Sequence, residues 1–181
     1  LVAFLLAGCA STGAHGVFRD PNMDFGAVQT VAVIPFANLS RETAAADRVR
    51  DVFMTNLQAT GGVYVIPPGE VMRGISRTGV EKPTAPAVEE VVRLAKTVKA
   101  DAVITGTVKE YGEVRSGTTT SNLVSVSLQM MEAQTGKVVW SASSTQGGVT
   151  VTDRLFGGGG EPMDHVTQKA VEDLIDKLFG K

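Results

Sequence analysis

Few residues in this chain are of types that commonly perform chemistry. Its 181 residues include one cysteine, Cys9, and two histidines, His15 and His165. A single cysteine excludes an internal disulfide framework and any multi-cysteine metal site, and neither histidine has a second histidine or a cysteine at ligand spacing. The glycine run 157–160 lacks the Lys-Ser/Thr pair of a phosphate-binding loop, and there is no Gly-x-Ser-x-Gly element. The sequence therefore predicts no catalytic residues, no metal site and no cofactor.

The surroundings of Cys9 form the most informative pattern in the sequence. The cysteine directly follows Leu6, Ala7 and Gly8, at the end of the apolar run 1–8. Leucine, two small residues and cysteine match the lipoprotein box of bacteria, because a signal peptidase needs small residues to approach an extended backbone. We therefore predict lipidation of Cys9, which makes the lipid bilayer itself a partner. Each buried CH₂ of the acyl chains contributes about 0.8 kcal/mol to membrane binding. The alternative is a buried apolar strand in which the thiol is only a small hydrophobe.

This leader divides the chain into three predicted parts. Residues 1–8 are predicted as the remnant of a signal peptide, residues 9–26 as a lipidated flexible tether, and residues 27–181 as a periplasmic α/β domain. The Gly-, Ser- and Ala-rich composition after Cys9 is typical of a tether. Under the usual sorting rule, an aspartate directly after the lipidated cysteine opposes transfer to the outer membrane. Ala10 stands at this position instead, which favours the periplasmic face of the outer membrane.

Charge and composition exclude further classes of protein. Seventeen Lys and Arg stand against nineteen Asp and Glu, a net charge of −2 at pH 7. With no basic excess to neutralise phosphates, we expect no nucleic-acid partner. A hydrophobic content of 43% supports a folded core and argues against a disordered or fibrous chain.

Apolar periodicity and turn residues predict the order of elements. Strands are expected at 28–36, 63–66, 102–109, 123–132 and 138–145, and helices at 44–60, from about 69, at 88–98 and at 162–179. Ser40 or Thr43 is the expected cap of the first helix. Early alternation of strands and helices predicts parallel pairing, and three successive strands predict an antiparallel meander. We expect an α/β fold with one mixed sheet of about five strands flanked by helices, in the order β-α-β-α-α-β-β-β-α.

Three features leave alternatives open. Trp140 lies on an apolar strand face, so it belongs either to the core or to a possible membrane or subunit contact, since indole prefers interfaces. The apolar stripe of the last helix packs either on the sheet or on a membrane surface. The polar segment 111–122 is either a solvated hairpin end or an exposed β-ribbon that contacts a partner.

Three stretches, together with the lipoprotein box, resemble one known group. They are VAVIPFANLS at 31–40, VKADAVITG at 98–106 and TGKVVW at 135–140. Over residues 28–179 the chain resembles the bacterial envelope lipoproteins that include CsgG, PelC, LpoB and the amino-terminal domain of TolB. The resemblance implies an anticodon-binding-domain-like topology, a periplasmic location, frequent assembly into rings and no catalytic residues.

Within this group the polysaccharide-export lipoprotein is the nearer resemblance, because segment 115–121 lacks the apolar alternation of a membrane-spanning strand. This implies a non-enzymatic accessory for the assembly or export of polysaccharide or another envelope product, acting as a homo-oligomeric ring. Its partners would be the bilayer, further copies of the chain and envelope export or cell-wall machinery. Two alternatives remain: a binding module that activates a peptidoglycan synthase, and an enzyme of unrecognised type.

Overall fold

A mixed β-sheet organises the part of the chain that the computed structural model describes, residues 16–149 and 160–180. The strands are β1 Phe18–Arg19, β2 Thr30–Val33, β3 Ala37–Asn38, β4 Tyr64–Val65, β5 Ala102–Ser116, β6 Thr119–Glu132 and β7 Val138–Gly147. The α-helices are α1 Ala45–Ala59, α2 Pro68–Thr78, α3 Val88–Val98 and α4 Met163–Phe179, with a 3-10 turn at Phe25–Ala27.

The pairing of the strands confirms the predicted fold class. The strand order is β1-β7-β6-β5-β2-β4. β3 also pairs with β5, at residues that follow those paired with β2. β2 is parallel to β4 and β5, whereas β5, β6 and β7 form an antiparallel meander. The two strands that the sequence did not predict, β1 and β3, have two residues each, which is too short to leave an alternating pattern.

Two hydrophobic clusters lie on opposite faces of this sheet. The larger one lies beneath α1 and α4 and includes Phe53, Leu128 and Trp140, all completely buried. The smaller one lies beneath α2 and α3 and includes Ile34, Leu94 and Val103. On the same face as the smaller cluster, β6 and β7 also carry polar side chains that are partly or fully exposed.

The folded body begins before the predicted boundary at residue 27, so the second half of the predicted tether 9–26 is corrected. Phe18 and Arg19 pair antiparallel with β7, and the backbone N–H of Asp20 donates to Val139 O at 2.8 Å. Phe25 packs against the larger cluster. β1 leaves no recognisable pattern in the tether-like composition, because two residues are enough to extend the edge of the sheet.

The helix ends also differ from the prediction. Neither Ser40 nor Thr43 caps α1, since Ala44 occupies the cap position without a side-chain hydrogen bond. The carboxylate of Glu90 instead caps α3: it accepts from the backbone N–H of Ala87 at 2.7 Å and of Glu81 at 3.1 Å. These backbone hydrogen bonds lower the pKa of Glu90, as expected for a charged acceptor at a helix start.

Candidate interaction surface

The structure locates only part of the predicted site. Leu6, Ala7, Gly8 and Cys9 lie outside the described residues, so the lipoprotein box and lipidation stay a prediction. Trp140 lies inside them, and so does the segment that was expected to form either a hairpin end or a ribbon.

Trp140 does not reach a surface. Its side chain is completely buried in the larger cluster, and its Nε1 donates to Lys177 O in the last turn of α4 at 3.3 Å. The possible membrane or subunit contact of Trp140 is therefore corrected in favour of the core alternative. The stripe of α4 is buried as well, for example at Val166 and Leu174, so this helix packs on the sheet rather than on a membrane surface.

The polar segment 111–122 does extend the β5–β6 hairpin as a ribbon. Pairing continues without a break from Glu110↔Ser125 to Ser116↔Thr119. The connection is a two-residue turn that begins with Gly117 at φ +64°, the conformation that a type II′ hairpin turn requires at its first central position. Whether a partner contacts this ribbon stays a prediction.

The loop between β3 and α1 presents one leucine to solvent. Leu39 is 71% exposed, more than any other large apolar side chain in the described part of the chain. Its backbone N–H donates to Val108 O at 2.9 Å. Next to it, the side chain of Asn38 accepts from the backbone N–H and hydroxyl of Ser40 at 3.0 and 2.7 Å and donates to Glu42 O at 2.8 Å. A loop fixed in this way loses little conformational entropy when Leu39 binds.

A groove of about 770 Å³ adjoins Leu39 and runs along the base of the ribbon to the start of α4. Tyr111 is half-buried in its wall and accepts a 3.4 Å hydrogen bond from the hydroxyl of Thr167. A second depression of about 870 Å³ shares Tyr111 and continues over α1 and α4. The charged residues of the first groove are three cations and three anions: Arg41, Arg48, Lys109, Glu42, Glu110 and Glu113.

The start of α4 adds a local ion pair near the second depression. Lys169 Nζ lies 2.5 Å from Glu161 Oε1, and His165 Nδ1 lies 3.8 Å from the same oxygen. The hydrogen bond from Lys169 is the main cause that lowers the pKa of Glu161. His165 is exposed, as predicted, and its surroundings are those of a solvated helix surface.

We call the loop 38–43, the groove beside it and the base of the ribbon the Leu39 surface. In residues 16–149 and 160–180, no three His, Cys, Asp or Glu side chains are grouped to hold a metal ion, and no helix is long and apolar enough to cross a bilayer. An exposed apolar anchor beside a half-buried tyrosine and mixed charges suits contact with another protein. The sequence indicated only a turn at 38–40. A leucine between two turn-forming residues is nevertheless a signal by which an exposed apolar side chain could have been predicted there.

The fold is shared by solved bacterial lipoproteins. The PelC dodecamer from Paraburkholderia phytofirmans has a TM-score of 0.60 and 18% identity, with 90% of this chain and 96% of that chain covered. Lipoprotein GNA1162 from Neisseria meningitidis has a TM-score of 0.58 and 18% identity, with 84% and 99% covered. The C-terminal domain of LpoB from Salmonella enterica has a TM-score of 0.51 and 15% identity, with 70% and 86% covered.

The sequence gives a more specific assignment than the fold. Residues 25–178 match the model of the GNA1162-like lipoprotein family, and the chain belongs to this family. This confirms the envelope-lipoprotein resemblance on which the sequence predictions were based. No protein of curated function matches the chain.

Proposed function

We propose that this chain is a non-enzymatic, periplasmic accessory lipoprotein that is anchored to the outer membrane through acylated Cys9. It assembles into a homo-oligomer and serves the export or assembly of polysaccharide or another envelope product. The observation that carries this proposal is the Leu39 surface, where a fixed loop exposes an apolar side chain beside a charge-balanced groove.

We assign the Leu39 surface to contact between copies of this chain. The groove contains equal numbers of positive and negative side chains, so one copy does not repel another electrostatically. Burial of the exposed Leu39 side chain between two copies removes apolar surface from water, which favours assembly. The dodecameric arrangement of PelC, which has the same fold, supports an assembly of identical chains.

A photo-crosslinking experiment in the native host tests this assignment. Benzoylphenylalanine replaces Leu39 in one variant and Met72 in the control, because Met72 is also exposed, at 45%, but lies on α2. We expect irradiation to give a product of twice the subunit mass from position 39 and not from position 72. A position-39 product that contains a different protein, with no self-adduct, contradicts the homo-oligomer.

Anchoring is tested separately from assembly. Cys9 is the only cysteine, so Cys9→Ser removes the one thiol that can be acylated. We expect labelled palmitate to enter the wild-type protein and not the variant, and the variant to leave the outer-membrane fraction. Labelling that persists in Cys9→Ser contradicts the anchoring part of the proposal.

A regulatory module that activates a peptidoglycan synthase is the second candidate, favoured by the fold shared with the LpoB C-terminal domain. Such a module acts as a monomer in a one-to-one complex. It therefore predicts that crosslinks from position 39 join this chain to a large synthase rather than to itself.

A further inference from the structure

A third concave site is separate from the Leu39 surface and shares no lining residue with it. It is a pocket of about 300 Å³ between the 3-10 turn, the start of β2, the end of α1 and the end of α4. This volume is at the lower edge of the ~300–1,000 Å³ that is typical of small-ligand sites. Its inner walls are aliphatic and almost fully buried: Val28, Val31, Leu57, Ile104, Met130 and Leu178.

One cation stands at the rim of this pocket. The guanidinium carbon of Arg19 lies 3.8 Å from the ring centroid of Phe25, and Arg19 Nη1 donates to Leu178 O at 2.8 Å. Both contact residues line the pocket, so the guanidinium is fixed at its entrance. No carboxylate of residues 16–149 or 160–180 forms an ion pair with Arg19, and a guanidinium has five N–H donors in all. Donors are therefore left for a ligand.

We propose that this pocket binds a free fatty acid, with the acyl chain against the aliphatic walls and the carboxylate on Arg19. A narrow apolar cavity with a single fixed cation at its entrance matches an amphiphile that has one anionic head. Gln29 is the other polar side chain in the lining of the pocket. The inference does not depend on the proposed function, since it uses neither the Leu39 surface nor Cys9.

The chain contains its own reporter for this site. Trp140 is the only tryptophan, and its strand-register partners are Met130 and Arg19, which line the pocket. A bromine atom in the half of a bound acyl chain that is nearest the carboxylate therefore approaches the indole and quenches its fluorescence. The full chain carrying Cys9→Ser is used, so that no covalently attached acyl chain competes.

We expect 6-bromododecanoic acid to quench Trp140 saturably and dodecanoic acid to displace it. Affinity for unbrominated acids rises about fourfold for each added methylene until the pocket is full. Dodecanol, which lacks the carboxylate, binds at least tenfold more weakly than dodecanoic acid. Quenching that does not saturate, or equal affinities for the acid and the alcohol, overturns the proposal.

Two variants distinguish binding of the carboxylate from binding of the acyl chain. Arg19→Gln lowers the affinity for dodecanoic acid about tenfold and leaves that for dodecanol unchanged, whereas Arg73→Gln on α2 changes neither. Val63→Phe, which fills the rim, weakens both ligands alike. If Arg19→Gln leaves dodecanoic acid binding unchanged, the assignment of the carboxylate site is wrong, whatever the effect of Val63→Phe.

Discussion

The two faces of the sheet use the same strands for different purposes. In β6, Val126 and Leu128 point to the core beneath α1 and α4 and are completely buried, whereas Ser127 and Gln129 point to the other face. On that face Ser127 Oγ pairs with Ser143 Oγ of β7 at 2.8 Å. One alternating sequence thus forms a hydrophobic core on one side and a polar surface on the other, where the hydroxyls bond to one another. Within β6 and β7, stability should depend on the side chains of the first face and be nearly indifferent to the polar side chains of the second.

The largest difference is expected between two neighbouring residues of β6. Leu128→Ala removes a completely buried side chain and should lower the free energy of unfolding by about 2–5 kcal/mol. Ser127→Ala, one residue away on the polar face, should change it by no more than about 0.5 kcal/mol. Urea unfolding measures both, and comparable losses would contradict the division between the faces.

The core face should also reject added volume. A Cβ at Gly106 would lie 2.5 Å from Leu128 Cδ2 and 3.1 Å from the ring of Phe36. Gly106→Ala therefore overpacks the core, and we expect a loss of about 1–3 kcal/mol. The control is Thr107→Ser on the opposite face of the same strand. A Gly106→Ala variant as stable as the wild type would show that Leu128 and Phe36 can move aside.

Asp101 connects the two central parallel strands from outside the core. Its Oδ2 accepts from the backbone N–H of Gln29 at 3.0 Å and of Thr30 at 2.8 Å. Asp101→Ala should cost about 1.5 kcal/mol by urea unfolding. Asp101→Asn keeps an acceptor oxygen and should cost less; an equal cost would mean that the hydrogen bonds contribute little.

The smallest effect is expected at Glu90, in the first turn of α3. Its pKa is lowered from the ordinary 4.5 by the backbone N–H groups of Ala87 and Glu81. The stabilisation is therefore present above pH 4.5 and is lost as the pH falls through the lowered pKa. We expect Glu90→Gln to unfold at lower temperature than the wild type at pH 7, and this gap to close on acidification. Glu89→Gln should show no such closing gap.

The long elements of the sheet were predictable because their sequences carry strong local signals. The apolar run of β2 is buried on both faces of the sheet, whereas the alternation in β6 and the stripe of α4 each bury one face. Each leaves a pattern that needs no tertiary information. Such patterns also set the mixed topology, since the order of strands and helices restricts how they can pair.

The contacts between distant residues were not predictable in the same way. β1 depends on two residues that pair with β7, and Phe18 lies 123 positions before its partner Ser141. Only the fold brings these residues together. Burial of Trp140 depends on where α4 ends, and the pocket beside Arg19 is lined from seven separate elements. The Leu39 surface required knowing that Asn38 and Ser40 fix the loop while its leucine points outwards.

The central claim, that the Leu39 surface joins copies of this chain, is tested most directly by the mass of the protein in solution. Light scattering during size-exclusion chromatography would compare the full chain carrying Cys9→Ser with the same chain that also carries Leu39→Asp or Met72→Asp. We predict an oligomer for the parent and the Met72 control, and a monomer for Leu39→Asp. A parent that is already monomeric, or a Leu39→Asp variant that keeps the oligomeric mass, would contradict the account.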